Sequence, residues 1–136
     1  MTMPDDQQAY NAGLIEEFRA NGRRLGDRQL LLLTTVGART GKARTTPMMY
    51  VRDGDRLLVI ASNAGAPKHP GWYHNLAANP RVTVEVAGEE YPATATALTG
   101  DEYAQRWKAI VADYPFFADH QAKVSRLIPV VALTRD

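Results

Sequence analysis

Leu30-Leu-Leu-Leu-Thr-Thr-Val-Gly-Ala-Arg-Thr-Gly-Lys-Ala-Arg-Thr-Thr-Pro-Met-Met49 decides the fold. Its first seven residues are apolar or β-branched, as a strand requires, and Gly37 and Gly41 interrupt that pattern before it resumes. Arg28 to Val36 and Arg44 to Arg52 therefore read as two strands joined by a basic loop. Further along, Asp53-Gly54 is a hairpin signal leading into a strand over Arg56 to Ser62. Gly65 to Pro70 is a loop of breakers, and Gly71 to Ala78 a short helix stopped by Asn79-Pro80. Arg81 to Val86 alternates polar and apolar residues, turns at Ala87-Gly88, and pairs with a strand over Tyr91 to Leu98. Thr99-Gly-Asp-Glu102 has the form of a capping box, opening a helix to about Ala112. The helix restarts after Tyr114-Pro115 and runs to Val124, and Leu127 to Thr134 is a last β-branched strand. Upstream, Gln7 to Leu25 is a helix with Tyr10, Leu14, Ile15 and Phe18 on one face, ended by Asn21, Gly22 and Gly26. Six strands joined mostly by hairpin-length turns predict a mainly β (α+β) antiparallel barrel with peripheral helices.

The chain's 136 residues suit one domain with its own core, 1–26 forming the amphipathic helix and 27–136 the barrel. Sixteen Lys and Arg against 15 Asp and Glu leave a formal charge of +1, so any anion site must be local. The absence of cysteine excludes disulfides, thiolate metal sites and cysteine nucleophiles. Met1-Thr-Met-Pro-Asp-Asp6 lacks the basic-then-apolar order of a secretion signal, and the apolar runs are strand-length. A cytoplasmic protein is expected. Arg19, Arg23 and Arg24 on the helix's far face and tail would suit an anionic surface. Packing of that helix on its own domain is the main expectation, and peripheral contact with a membrane surface is secondary.

Within the loop, Arg39, Lys42 and Arg44 lie close together, and Gly37 and Gly41 expose backbone donors. Thr40, Thr45 and Thr46 add hydroxyls. Guanidinium forks, an ammonium and bare N–H groups are what phosphate requires. A nucleotide P-loop would need four residues between its glycines and a Ser or Thr after the lysine. Here three residues separate Gly37 from Gly41, and Ala43 follows Lys42. Nucleic acid is not expected, because stacking aromatics and a wider basic face are missing.

Ser62-Asn-Ala-Gly-Ala-Pro-Lys-His-Pro-Gly-Trp-Tyr-His-Asn75 is the second informative segment. Its small residues let a flat ring approach the backbone, Asn63 and Asn75 can read ring carbonyls and N–H groups, and Trp72 offers an apolar wall. His69 and His74 have no nearby carboxylate or cysteine to complete a metal shell, so no metal is expected. Ser62 paired with either histidine lacks the elbow and orienting acid of a hydrolase.

These motifs together resemble the deazaflavin-dependent nitroreductase family, within the flavin-binding split β-barrel proteins. The resemblance covers about Leu31 to Val131, through Leu32 to Arg44, Thr46-Pro-Met48, Val59 to Asn63, Pro70 to Leu76, Ala78-Asn-Pro80, Tyr114-Pro115 and Ile128-Pro-Val130. It implies a six-stranded split barrel that binds coenzyme F420, whose tail is phosphorylated and anionic. By that likeness Ala38, Arg39, Thr40, Lys42 and Arg44 would hold the tail. Thr45, Thr46, Pro47, Met48 and Met49 would line one edge of the ring, and Ile60, Ala61, Ser62 and Asn63 the other. Gly71, Trp72, Tyr73, His74 and Asn75 would close the pocket, with Lys68 approaching the tail or a ring oxygen. The implied chemistry is hydride transfer to a quinone or nitroaromatic acceptor, with Ser62 and Tyr114 as catalytic candidates. The coenzyme carries the hydride, so no acid–base dyad is required.

Relatives place three tyrosines in a Tyr-Pro-x-Tyr-x-x-Tyr pattern implicated in acceptor binding; here the positions read Tyr114, Phe117 and His120. A quinone acceptor is therefore expected above bulky nitro compounds. The alternatives are a non-catalytic F420 carrier and an FMN-dependent oxidoreductase, FMN also having a phosphate and a tricyclic ring. A monomer or weak homodimer is expected.

Overall fold

The computed structural model describes residues 3–24 and 29–136, with side chains from residue 9 onward. In chain order the elements are α1 (Met3–Ala20), β1 (Leu30–Val36), β2 (Ala43–Met49), β3 (Val51–Asp53) and β4 (Arg56–Ile60). There follow α2 (Gly71–Ala78), β5 (Arg81–Val86), β6 (Glu89–Ala97), α3 (Gly100–Asp113), α4 (Phe116–Ala122) and β7 (Val130–Arg135).

Among the described residues seven strands form one antiparallel sheet in the order β2-β1-β5-β6-β7-β4-β3. The two outermost strands, β2 and β3, are consecutive in the chain and separated only by Tyr50. A sheet whose opposite edges are one residue apart has to curl until they meet. The expected count of six strands is corrected to seven, because Arg44 to Arg52 pairs with β1 as far as Met49 and with β4 from Val51. At the junction the Tyr50 side chain is buried in the core and its N–H donates to Gln29 O at 3.2 Å.

The four consecutive leucines of β1 are explained by cover on both faces of the strand. Leu31 and Leu33 enter the main core with Val59, Val84, Val131 and Leu133. Leu30 and Leu32 point the other way and pack on Phe18, Leu14 and Ile15 of α1. β7 repeats the arrangement: Val131 and Leu133 join the main core, while Val130 and Ala132 meet Ile110 of α3 and Phe117 of α4. The helices thus cover the outer face of the curled sheet at two places.

Two local expectations are corrected. Helix α1 ends at Ala20 rather than Leu25, because Gly22 (φ +72°) and Arg23 (φ +63°) turn left-handed and Arg23 N–H donates to Phe18 O at 2.8 Å. That bond, with Gly22 N–H on Arg19 O, is the pattern that closes a helix at glycine. The expected helix end at Leu25–Gly26, the strand start at Arg28 and the 26/27 boundary lie outside the described residues. Thr99 occupies the N-cap of α3 but its side chain makes no cap bond, and Glu102 pairs with Arg56 instead.

Arg19 of α1 and Arg23 just beyond its end face inward onto a buried acid. Glu85 lies opposite Leu32 on the face beneath α1 and is 2% exposed. Arg19 grips it with Nε at 2.9 Å and Nη2 at 2.7 Å, and Arg23 Nε adds a contact at 3.2 Å. Arg24 donates to Ala87 O. These cations clamp the helix to the sheet, which accounts for their position without a membrane. Hydrogen bonding to Arg19, opposed by burial and supported by the charges of Arg19 and Arg23, holds the Glu85 carboxyl below the usual carboxylate range. Its folded pKa lies below the unfolded one, so the stabilisation is present above the unfolded value and is lost as pH falls through the folded one.

Removing Arg19 leaves a buried carboxylate without its bidentate partner. Arg19→Ala should therefore cost about 1–3 kcal/mol in urea unfolding at pH 7, more than Glu85→Gln, and the deficit should shrink below about pH 4. A deficit that stays constant with pH would show that the clamp is not electrostatic.

Candidate functional site

The loop between β1 and β2 is closed by its own backbone. Gly37 N–H donates to Lys42 O at 2.8 Å, and Gly41 N–H, at φ +68°, donates to Gly37 O at 3.0 Å. A Cβ on Gly37 would lie 2.6 Å from Thr40 Oγ1, the hydroxyl that accepts from Lys42 N–H at 3.2 Å. Asn75 ties this loop to α2: its Oδ1 accepts from Ala38 N–H at 3.0 Å and its Nδ2 donates to Thr35 Oγ1 at 3.2 Å.

The facing wall begins where β4 ends. Asn63, Ala64 and Gly65 form a single 3-10 turn with φ of +50°, +54° and +80°. The left-handed conformation costs a residue bearing a side chain about 1–2 kcal/mol, and such strain persists only where surrounding contacts hold it. Here Ala66 N–H donates to Asn63 O at 2.9 Å, Asn63 Nδ2 to Lys68 O at 3.0 Å, and Arg126 binds the carbonyls on both sides of the turn. Both asparagine amides are thus committed to the walls of the site.

Between these walls lies a cavity of about 1170 Å³. Ala38, Arg39, Thr40, Arg44, Thr46 and Pro47 line one side of it. Asn63, Lys68, Gly71, Trp72, His74 and Asn75 line the other, and Trp72 also packs against the main core. Arg39, Arg44 and Lys68 bring three cations to it, and among the described residues no carboxylate pairs with any of them. By contrast Arg19, Arg23, Arg56, Arg81, Arg106 and Arg135 all have acidic partners. These three unpaired cations stand where small residues and a tryptophan leave room for a flat molecule. That donor set fits a ligand with an anionic tail and a planar head.

Other expected site residues do not line this cavity. Lys42 is exposed outside it. Thr45 alternates away from Arg44 and Thr46, its hydroxyl 2.8 Å from that of Thr34. Met48 and Tyr73 pack on the main core, Met49 and Ile60 on the cluster beneath α3 and α4, and Ala61 and Ser62 are buried. The late-helix trio is also elsewhere. Tyr114 donates to Gln29 Oε1 at 3.0 Å, Phe117 is 5% exposed in the cluster with Ile110, and His120 backs onto Gly65, behind the strained turn. Among the described residues, His120 Nδ1 is the buried side-chain polar atom without a hydrogen-bond partner.

Gly37, Ala64, His69 and Pro70 fall within the two segments that the sequence singled out, whereas Asn11 and Arg126 gave no sequence signal of a role here. Asn11 of α1, Gly37, Ala64, His69 and Pro70 all line the cavity, and Arg126 braces its wall. The breaker run Gly65 to Pro70 marked the loop, but only the fold shows which of its members face inward. Burial first, then the charge of Arg126 and of His74, push the His69 imidazole below its ordinary value.

Comparison with known proteins gives this geometry a family. Residues 10–135 match the model of the F420H(2)-dependent quinone reductase family. An F420H(2)-dependent quinone reductase of Mycobacterium tuberculosis (strain ATCC 25618 / H37Rv) is 40% identical over 126 residues, covering 87% of this chain and 85% of the relative. A solved structure of an F420-H2 dependent reductase is 42% identical, with a TM-score of 0.71, covering 81% of this chain and 97% of its own. Another, described as a domain-swapped dimer, is 38% identical with a TM-score of 0.73, covering 96% and 98%. The chain belongs to the F420H(2)-dependent quinone reductase family.

Proposed function

We propose that this protein is an F420H2-dependent oxidoreductase whose cavity binds coenzyme F420 and whose acceptor is a quinone, with nitroaromatics as alternative acceptors. One observation carries the placement of the coenzyme: Arg39, Arg44 and Lys68 line one cavity and lack carboxylate partners among the described residues. In this reading Arg39 and Arg44 form charge-assisted hydrogen bonds to the phosphate and carboxylates of the tail, and Lys68 adds a point charge from the facing wall. The Thr40 hydroxyl and Thr46 complete the polar lining, because the Gly37, Ala38, Gly41 and Lys42 N–H groups are spent on bonds within the walls rather than exposed to a ligand. Pro47, Ala64 and Gly71 leave a flat slot, and Trp72 supplies its apolar wall.

When bound, the reduced coenzyme supplies the hydride. The chain's own work is to orient the ring, exclude water from one face and leave the other open to the acceptor. A barrel split open along this cavity, with helices outside, is the architecture we assign to the curled sheet. The domain-swapped dimer among the similar structures supports a homodimer in preference to a monomer.

Arg39→Ala and Arg44→Ala should each weaken F420 binding by about 1–3 kcal/mol, read from fluorescence titration of the oxidised coenzyme. Lys42→Ala should have a smaller effect, because that side chain lies outside the cavity lining. If Lys42→Ala were the most damaging of the three, the tail would run along the other side of the loop.

Mixing the purified protein with reduced F420 and menadione should accelerate appearance of the oxidised coenzyme. Tight binding without turnover on any quinone or nitroaromatic would make the protein a carrier. Bound FMN released on denaturation would replace the coenzyme assignment altogether.

A further inference from the structure

Arg126 sits in the segment just ahead of β7 and makes no ion pair among the described residues. Its guanidinium is half-buried and directed entirely at neutral acceptors. Nη1 donates to Ala61 O at 3.2 Å, Nη2 to Ser62 O at 2.8 Å and to Ala66 O at 3.1 Å, and Nε to Ala66 O at 3.2 Å. These carbonyls flank the left-handed turn at Asn63–Gly65 on both sides. A planar fork with five donors can span that gap; a single ammonium cannot satisfy three separated carbonyls in the same way.

The remaining contact reaches into the cavity wall. Arg126 Nη1 lies 2.9 Å from Nδ1 of His69, a residue that lines the cavity. Arginine has donors only, so Nδ1 has to be the acceptor in this contact and cannot carry a proton. The neutral ring must then hold its proton on Nε2. Protonating Nδ1 would set an N–H against the guanidinium and bring two positive charges together. His74, with ring centroid 5.7 Å from that of His69, and Tyr73, at 4.7 Å, are the other titratable groups packed on the ring. Neither supplies a carboxylate that would favour the charged form. Burial, Arg126 and His74 all act to lower the imidazole pKa.

We infer that Arg126 is a positioning residue that locks the strained Asn63–Gly65 turn and fixes His69 as a neutral Nε2–H donor for an acceptor oxygen of the molecule held in the cavity. Arg126 itself need touch neither coenzyme nor acceptor. A charged His69 would add a fourth cation to the lining and lose its contact with Arg126. The neutral ring instead offers one donor without extra charge, a hydrogen bond suited to a carbonyl or phosphate oxygen.

The experiment uses the full chain with no coenzyme bound, so its outcome is independent of the proposed activity. Two-dimensional ¹H–¹⁵N spectra of the imidazoles, with the His69 signals assigned through His69→Gln, report tautomer and titration together. The expected result is a neutral His69 in the Nε2–H form, titrating below the ordinary histidine value near 6.5. In Arg126→Gln the titration should move toward that value, and the tautomer should become mixed. Arg126→Lys keeps a charge nearby but not the fork, so it should partly retain the lowered titration and lose the pure tautomer. A wild-type His69 in the Nδ1–H form, or titrating at 6.5 or above, would overturn the inference. So would an Arg126→Gln spectrum unchanged from the parent. Should that variant fail to fold, the wild-type tautomer alone decides the matter.

Discussion

The junction at Tyr50 is the constraint on which the rest of this structure depends. One continuous segment pairs with β1 before it and with β4 after it, and these partners stand near opposite ends of the sheet order. With its two edges joined through one residue, the sheet has an inside and an outside. Leu31, Leu33, Val59, Val84, Val131 and Leu133 fill the inside, and their neighbours in sequence need separate cover. That cover is α1 over Leu30 and Leu32, and α3 with α4 over Val130 and Ala132. Burial of these apolar faces, at about 25 cal/mol per Å² removed from water, is the main driving force available to a chain without disulfides.

The functional cavity is a consequence of the same closure. Curling brings the β1–β2 loop opposite the loop that leaves β4, so two segments distant in sequence face each other. Asn75 fastens one wall through Ala38 and Thr35, and Arg126 fastens the other through Ala61, Ser62 and Ala66. Among the described residues the cations that line the space are left without acids, whereas Arg19, Arg23, Arg56, Arg81, Arg106 and Arg135 are paired. Like charges brought to one cavity repel one another, and a bound anion would relieve that repulsion.

Much of this was legible in the sequence because it is local. α2 and β5 occur where breakers and alternation placed them, and the family resemblance rested on ordered motifs that span most of the chain. The basic loop was found, although not which of its cations faces inward: Lys42 belongs to the same cluster in sequence but lies outside the cavity, whereas Lys68 joins from the facing wall. The strand break at Tyr50 was missed because a strand that changes partners has the same local pattern as one that does not. Arg19 and Arg23 looked like a basic face until the fold placed the buried Glu85 beneath them. Thr99 and Glu102 had the spacing of a capping box, yet Arg56 competes for the carboxylate. Arg126 and His69 are 57 residues apart, and nothing local marks such a pair.

The central claim is that the unpaired cations of the cavity hold the anionic tail of coenzyme F420 while its ring lies in the slot beside Trp72. A crystal structure of the protein with F420 tests it most directly. The account predicts the tail phosphate within hydrogen-bond distance of Arg39 or Arg44, and the ring between Pro47 and the Ala64–Trp72 wall. A coenzyme found instead against Tyr114 and His120, with Arg39, Arg44 and Lys68 free in solvent, would contradict it.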